Sequence, residues 1–544
     1  MTCQNKRQKS KTTSRLITVQ IHSFFVSEVK TSMFLTAFLT FFVIICSILS
    51  FLYHRNFNYW TRFKNVPSVP GRIFSGNVID FLTFKTNFGF HLKTIYDDEK
   101  FTSAPVVGVY GLYKPCLLIR DPDIIKSVLI KDFDRFHDRF AKIDYHHDPL
   151  GGQMMLFADY PLWKEMRTKL SPTFTSGKLK NMYPLIQQVG ENMVKFLDSK
   201  PSVFQVEVKD LCARFTTDVI ATTVFGFQSN SLANPAEDFY KQLRLLNYFT
   251  WRRSFDFIIV LFASQLTRIM GAKILYPETE HFLRSAITQA VREREACIGG
   301  EKRNDIIDTF VKLKQEAEQR GERNIEQLME CLIAQAGIFM VGGFDTSSTT
   351  MSNALLELAK DTSVQKKLRE EIKEAFVEGN GEISYEALNK LTYLEMVINE
   401  TLRLYPVLAV LERQHATAGG KEPYSLQPYC DFNLPDGMPV FIPVFGLHYD
   451  TKYWSNPKKF DPERFSPENK PLINPMVYLP FGNGPHNCIG SRLAMMQVKA
   501  GLFYILKDHF VRVCDRTELE PTFDPKLNAL QVKGGIHLEI VKDE

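Results

Sequence analysis

The stretch Phe481 to Gly490, FGNGPHNCIG, sets one cysteine among three glycines and a proline. A cysteine taken at random is a small, inert hydrophobe. Around Cys488, however, Gly482 and Gly484 allow backbone paths closed to other residues, Pro485 stiffens the path, and Gly490 removes a side chain where something large could approach. The loop leads into an apolar helix, SRLAMMQVKAGLFYIL, whose N-terminal amides and dipole favour a thiolate. A thiolate suits a soft metal. The remaining cysteines (Cys3, Cys46, Cys116, Cys212, Cys297, Cys331, Cys430 and Cys514) are scattered with no CxxC pair, so nothing stands by to complete a tetrahedral zinc site or a disulfide framework. A metal that brings its own equatorial ligands fits best, and that metal is haem iron.

A second group lies in Gly342 to Ser347, GGFDTS, within AQAGIFMVGGFDTSSTTMSNALLELA. Two adjacent glycines in mid-helix each cost about 1 kcal/mol relative to alanine. They make sense if a flat cofactor lies against the backbone. Ile338, Gly342, Asp345, Thr346 and Thr349 are expected to share one face. Thr346 either bonds its own helix, as threonines often do, or by that same bond bends the helix over the iron. Further along come Glu400, Thr401, Leu402 and Arg403, then FDPERF at Phe460 to Phe465. A Glu and Arg three apart form, by themselves, an ordinary exposed pair.

These motifs, in this order, resemble those of the cytochrome P450 superfamily, and the resemblance runs from about the membrane anchor to the C terminus. It implies an axial Cys488 thiolate on haem b, with Phe481, Gly482, Gly484, Gly490 and Gly343 lying against the cofactor. Asp345 and Thr346 are implied as the proton-delivering pair, and Glu400, Arg403 and Arg464 as a buried structural network. Trp163 and Arg167 in WKEMR, with Arg413 in VLERQ, are implied donors to the haem propionates. His486 departs from the pattern, since most membrane-bound relatives place an arginine there. A neutral imidazole donating one hydrogen bond is expected, with haem retention weakening as pH rises through the imidazole titration. LSPTFTSGKLK (Leu170 to Lys180), LLIRDPDIIKSVLIKDFDRFHDR (Leu117 to Arg139) and FDTSSTT are similar to the insect family that clears plant toxins and insecticides, and to vertebrate drug-metabolising relatives. Val407, Leu408, Ala409, Val410, Phe339 and Phe344 are expected above the haem, so a hydrophobic substrate follows.

The elements that must position these residues are mostly helical. Helical period marks Lys164 to Leu170, Leu185 to Leu197, Leu211 to Thr223, Asp305 to Gln319, Glu326 to Lys360, Ser363 to Glu378, Leu391 to Leu404 and Gly490 to Lys507. Val106 to Arg120 reads as a hairpin, and Pro439 to Pro443 and Ile536 to Val541 as strands. The expected fold is mostly α with small β-sheets, that of a cytochrome P450 behind a single transmembrane helix. Met33 to Tyr53 is uncharged and long enough to cross a bilayer. Tyr59 and Trp60 are expected as interfacial anchors, and Arg55, Arg62 and Lys64 put the following domain in the cytosol. The formal charge of +5 sits wholly in residues 1 to 32, where six cations face Glu28, so the remainder is balanced and no nucleic-acid partner is expected. Met33 reads as the initiator, with a mitochondrial presequence over residues 1 to 32 as the alternative.

The domains expected are the extension 1–32, the anchor 33–53, a basic, proline-rich hinge 54–70 and a catalytic domain 71–544. Within the last, Phe249 to Phe262 is either a core helix or a surface dipping into the bilayer. No GxGxxG motif or flavin domain is present, so the resemblance implies electrons from NADPH through a separate cytochrome P450 reductase, with cytochrome b5 as a further partner. Dioxygen, a lipophilic small molecule and the endoplasmic-reticulum membrane complete the expected partners. A ferredoxin-fed mitochondrial enzyme and a non-catalytic haem-bearing binder are the alternatives.

Overall fold

The computed structural model describes residues 33–51, 58–72, 75–247, 250–297, 303–416, 422–526 and 530–543. The extension 1–32, the last two residues of the expected anchor and residues 54–57 of the expected hinge fall outside them. The anchor forms helix α1, Met33–Phe51, with mean hydropathy 2.5 and none of it buried. One other helix is long and apolar enough to span a bilayer, but it is packed inside the domain as its central core helix.

Residues Val106–Gly111 (β1) and Lys114–Ile119 (β2) form the expected hairpin, antiparallel from Val106 opposite Ile119 to Gly111 opposite Lys114. Helices α2 (Tyr160–Leu170) and α3 (Ser176–Asp198) follow, then strand β3 (Val203–Glu207) and helix α4 (Val208–Thr223). Next come α5 (Trp251–Phe262), α6 (Pro277–Ala296), α7 (Ile306–Gln319), the long α8 (Ile325–Lys360), α9 (Thr362–Glu378) and α10 (Thr392–Leu404). Strands β4 (Leu411–Gln414) and β5 (Pro439–Ile442) complete a four-stranded sheet in the order β1-β2-β5-β4. Helix α11 (Ser491–Leu506) then leads to β6 (His509–Val513) and β7 (His537–Lys542), which form a second sheet in the order β3-β7-β6. Helix α8 packs against α4, α10 and α11, so its two faces look onto different layers of the molecule. The expected helices and strands form within a few residues of their expected bounds except α3, which begins at Ser176 rather than Leu185 and carries Pro184 inside it.

Two expectations change. Trp60 is not an interfacial anchor: it is 2% exposed, and its indole N–H donates to Val109 O at 3.0 Å. An indole prefers a site where its apolar body is buried and its N–H has a partner, and the sheet supplies both. Gly108 makes room for it, because a Cβ there would lie 2.4 Å from the indole. Further on, Gly108 N–H donates to Pro67 O and Val69 N–H to Gly108 O, each at 2.9 Å. The prolines of 63–71 therefore lay the chain along the sheet edge, and the later part of the expected hinge belongs to the folded domain.

Helix α5 divides the two readings offered for it. Ile258, Val260 and Phe262 are buried, with Phe262 packed among Phe81, Phe88, Phe140 and Phe441. On the other side Trp251 is 68% exposed, and Ile269, just beyond the helix, is 78% exposed.

Candidate active site

The cysteine loop is held from within. His448 accepts the Leu479 N–H on Nε2 at 3.0 Å, Cys488 N–H donates to Phe481 O at 2.8 Å, and Asn487 N–H donates to Gly484 O at 3.0 Å. Gly484 has φ +71°, and a Cβ there would sit 1.9 Å from Leu129 O, so no other residue fits. Gly482 also has positive φ, +68°. These constraints set Cys488 just ahead of α11 with its thiol on the wall of an interior cavity. Burial pushes the thiol's pKa up, while the Gly490 N–H and the Arg167 guanidinium pull it down. Burial prevails. The helix N-terminus thus favours the thiolate as expected, and a coordinating cation would supply the remaining stabilisation.

The same cavity is lined by Phe481, Gly482 and Gly490 from this loop, by Trp163 and Arg167 on α2, and by Arg413 on β4. Helix α8 contributes Phe339, Gly342, Gly343 and Thr346. Gly342 presents open space, with nothing within 4 Å of a Cβ placed there. Gly343 differs: its Cβ would meet Ile220 Cδ1 of α4 at 2.3 Å, so this glycine serves helix packing as well as the cavity wall. Above the thiol, Val407 and Leu408 line the cavity as expected. Ala409 and Val410 instead pack near Phe445, and Phe344 packs on Tyr240, because neighbouring residues in an irregular strand or a helix point in different directions.

One residue absent from the sequence reading joins the site. Arg139 lines the cavity beside Arg167 and Arg413. It lies in an irregular segment with no periodicity to mark it. Burial first, then Arg139, lowers the Arg413 pKa to about 9 against the pull of Glu412. Arg167 is lowered by burial and by Arg139, while Cys488 opposes. Guanidiniums brought together this way, Arg413 buried and Arg139 and Arg167 half-buried, are costly unless an anion joins them. Arg139 Nε and Arg413 Nε have no hydrogen-bond partner, and Arg139 meets Glu412 only at 3.6 Å. A flat cofactor with two carboxylates and a central metal, as haem b is, fits this set of residues.

His486 departs from its expected role. Its Nε2 donates to His137 O at 2.7 Å, which leaves Nδ1 without a proton and, in this structure, without a partner. The one N–H is thus spent on the backbone rather than on a cofactor carboxylate. Burial first, then Arg139 and Arg413, lowers its pKa to about 2, so the ring is neutral in this structure. Its ring packs 4.0 Å from that of Trp163.

Thr346 lies on the cavity, its hydroxyl donating to Gly342 O at 2.5 Å. Asp345 does not join it. Consecutive helical residues diverge by about 100°, and the Asp345 carboxylate turns to α4 and the C-terminal loop. There it accepts from Lys209 Nζ at 2.8 Å and Gln531 Nε2 at 2.5 Å. Glu400, Arg403 and Arg464 do come together. Arg403 bonds both Glu400 oxygens, at 2.7 and 2.8 Å, with neither side chain exposed, and Arg464 Nε reaches Glu400 at 3.3 Å. His448 ties this network to the cysteine loop: its Nδ1 donates to Arg403 O at 3.1 Å, and its own carbonyl accepts from Arg403.

A sequence model of the cytochrome P450 family matches residues 68–539. The chain is 39% identical over 500 residues to a probable cytochrome P450 6g2 of Drosophila melanogaster, covering 90% of this chain and 95% of that one. It is 39% identical over 489 residues to a probable cytochrome P450 6w1 of the same species, covering 90% and 94%. Cytochrome P450 6j1 of Blattella germanica is 37% identical over 489 residues, covering 90% and 94%. Matches of this length, on a chain that brings a lone thiol and three guanidiniums to one apolar cavity, establish that the protein belongs to the cytochrome P450 family and is a monooxygenase.

Proposed function

We propose that this chain is an endoplasmic-reticulum-anchored enzyme that inserts one atom of dioxygen into lipophilic small molecules, xenobiotics above all, with electrons from NADPH through a separate reductase and with cytochrome b5 as a further partner. The observation that carries this reading is that, of the eight described cysteines, only Cys488 lines the cavity on which Arg139, Arg167 and Arg413 converge. Haem b, when bound, supplies dioxygen binding and O–O cleavage. Cys488 is the residue that would hold its iron, and the three guanidiniums would hold its carboxylates. Val407, Leu408 and Phe339 exclude water from the reacting region, and their apolar character selects substrates by hydrophobic transfer rather than by charge. Thr346 is, with Ser347 and Thr350, one of the polar residues α8 presents there, and its hydroxyl is placed to pass a proton. Helix α1 anchors the domain, and exposed Trp251 and Ile269 would rest in the bilayer interface beside it.

The test is the reduced, carbon-monoxide-bound absorption spectrum of the purified protein and of Cys488→Ser, followed by turnover with reductase and NADPH. The wild type is expected to show the thiolate-type band and the serine variant to lose it; an unchanged band in Cys488→Ser would overturn the assignment.

A further inference from the structure

Gln335 sits on α8 seven residues before Gly342, on the stripe of the helix that turns toward the cavity. It is fully buried, yet it does not line the cavity as Ile338 and Phe339 do. Its amide is committed to the segment before α2. Nε2 donates to Gln153 O at 2.7 Å and to Cys331 O at 3.1 Å, and Oε1 accepts from Met155 N–H at 2.9 Å. The side chain thus clasps one C=O and a nearby N–H of the same segment, as a neighbouring strand would. Gln153 closes the circuit: its Nε2 donates to Pro149 O at 2.9 Å, and its Oε1 accepts from the Cys331 thiol at 2.7 Å. Two residues along α8, Gly337 leaves room for the same segment, since a Cβ there would lie 2.9 Å from Met154 Cε.

Burying a carboxamide among apolar residues is unfavourable unless all its bonds are made, and here they are made to the end of the short helix Pro149–Gln153, to the Met155 N–H that follows it and to α8 itself. The clasped segment ends in Met155 and Leu156, both on the cavity wall. We propose that Gln335 is a positioning residue which fixes Met155 and Leu156 over the cavity and so sets the bulk of substrate admitted on that side. Met155 and Leu156 lie just beyond the end of the short helix Pro149–Gln153, and an apolar side chain at 335 could hold neither its terminal C=O nor the Met155 N–H. The inference rests on the reading of this cavity as a haem site with a lipophilic substrate above it.

The test is spectral titration of the haem-loaded wild type and Gln335→Leu with imidazole, a small nitrogenous probe, and clotrimazole, a bulky triaryl imidazole. Losing the clasp is expected to change the ratio of the two dissociation constants by about ten-fold, the equivalent of one or two net hydrogen bonds. In combination with Leu156→Ala the effect on clotrimazole is expected to be non-additive, whereas with Leu408→Ala it adds. A ratio within two-fold of wild type, or equal coupling to Leu156 and Leu408, overturns the proposal. Gln335→Glu keeps the acceptor for Met155 N–H and loses the donor to Gln153 O, and replaces the leucine variant if that chain does not fold. The reduced carbon-monoxide band separates the two readings: its absence from the wild type sinks the haem site, whereas its presence with an unchanged probe ratio sinks only the role of Gln335.

Discussion

A neutral imidazole stands at position 486 because charge there would be desolvated and would face Arg139 and Arg413. The electrostatic work falls to the guanidiniums, and Arg139 has the clearest spare capacity, with an unpartnered Nε and only a 3.6 Å contact to Glu412. Arg139→Met is therefore expected to speed haem loss to an apomyoglobin acceptor by roughly ten-fold or more, the worth of one charge-assisted hydrogen bond. Loss at the wild-type rate would remove Arg139 from the cofactor's cradle. Arg139 could not be singled out from FDRFHDRF, where two arginines and two aspartates are interleaved with aromatics and only one 3-10 turn forms. The cysteine loop was legible because its glycines encode their own backbone requirement, φ +68° and +71° at 482 and 484.

At the scale of elements, the paired glycines of α8 divide their labour. Gly342→Ala meets nothing within 4 Å and gains about 1 kcal/mol of helix propensity. It should melt no lower than wild type while weakening substrate binding, because the added methyl enters the cavity. Gly343→Ala drives a methyl into Ile220, and overpacking of this kind costs about 1–3 kcal/mol; its midpoint in thermal unfolding should fall clearly below that of Gly342→Ala. Equal midpoints would refute this division. Behind the cavity, Arg403→Met leaves Glu400 buried with Arg464 at 3.3 Å and the Asp461 N–H at 2.9 Å, and breaking such a pair costs about 3–5 kcal/mol. The expected outcome is little soluble haem-loaded protein, measured as the ratio of haem to polypeptide absorbance. The period of 3.6 marked eight helices, yet α6 escaped it although Thr279, Leu283, Ile287 and Val291 are its buried residues, a narrow stripe in a mainly polar sequence. Strands β3 and β6 escaped because each is short and half exposed, and each pairs with β7 at the far end of the chain.

Over the whole molecule, burial leaves histidines neutral. His91, His415, His448 and His509 all have pKa values lowered chiefly by desolvation, His448 to about 3. A folded pKa below the unfolded value means the stability is complete above about pH 6.5 and is lost as pH falls toward 3. For His448 alone the loss by pH 5 is ~2 kcal/mol. The thermal midpoint should therefore drop between pH 7.5 and 5, and His448→Gln, less stable at pH 7.5, should show a smaller acid-induced drop; an equal drop would exclude His448 as a contributor. The sequence by itself determined the family, the helical architecture, an apolar helix of membrane-spanning length, and Cys488 as the metal-binding candidate, because local periodicity, apolar length and glycine placement are written along the chain. Only the tertiary structure decided which way each side chain turns: Asp345 to Lys209 rather than the cavity, the His486 N–H to His137, Trp60 into the sheet, and Arg139 among the cations. Those outcomes depend on segments distant in sequence competing for the same hydrogen bonds and the same space, and no local pattern encodes the winner.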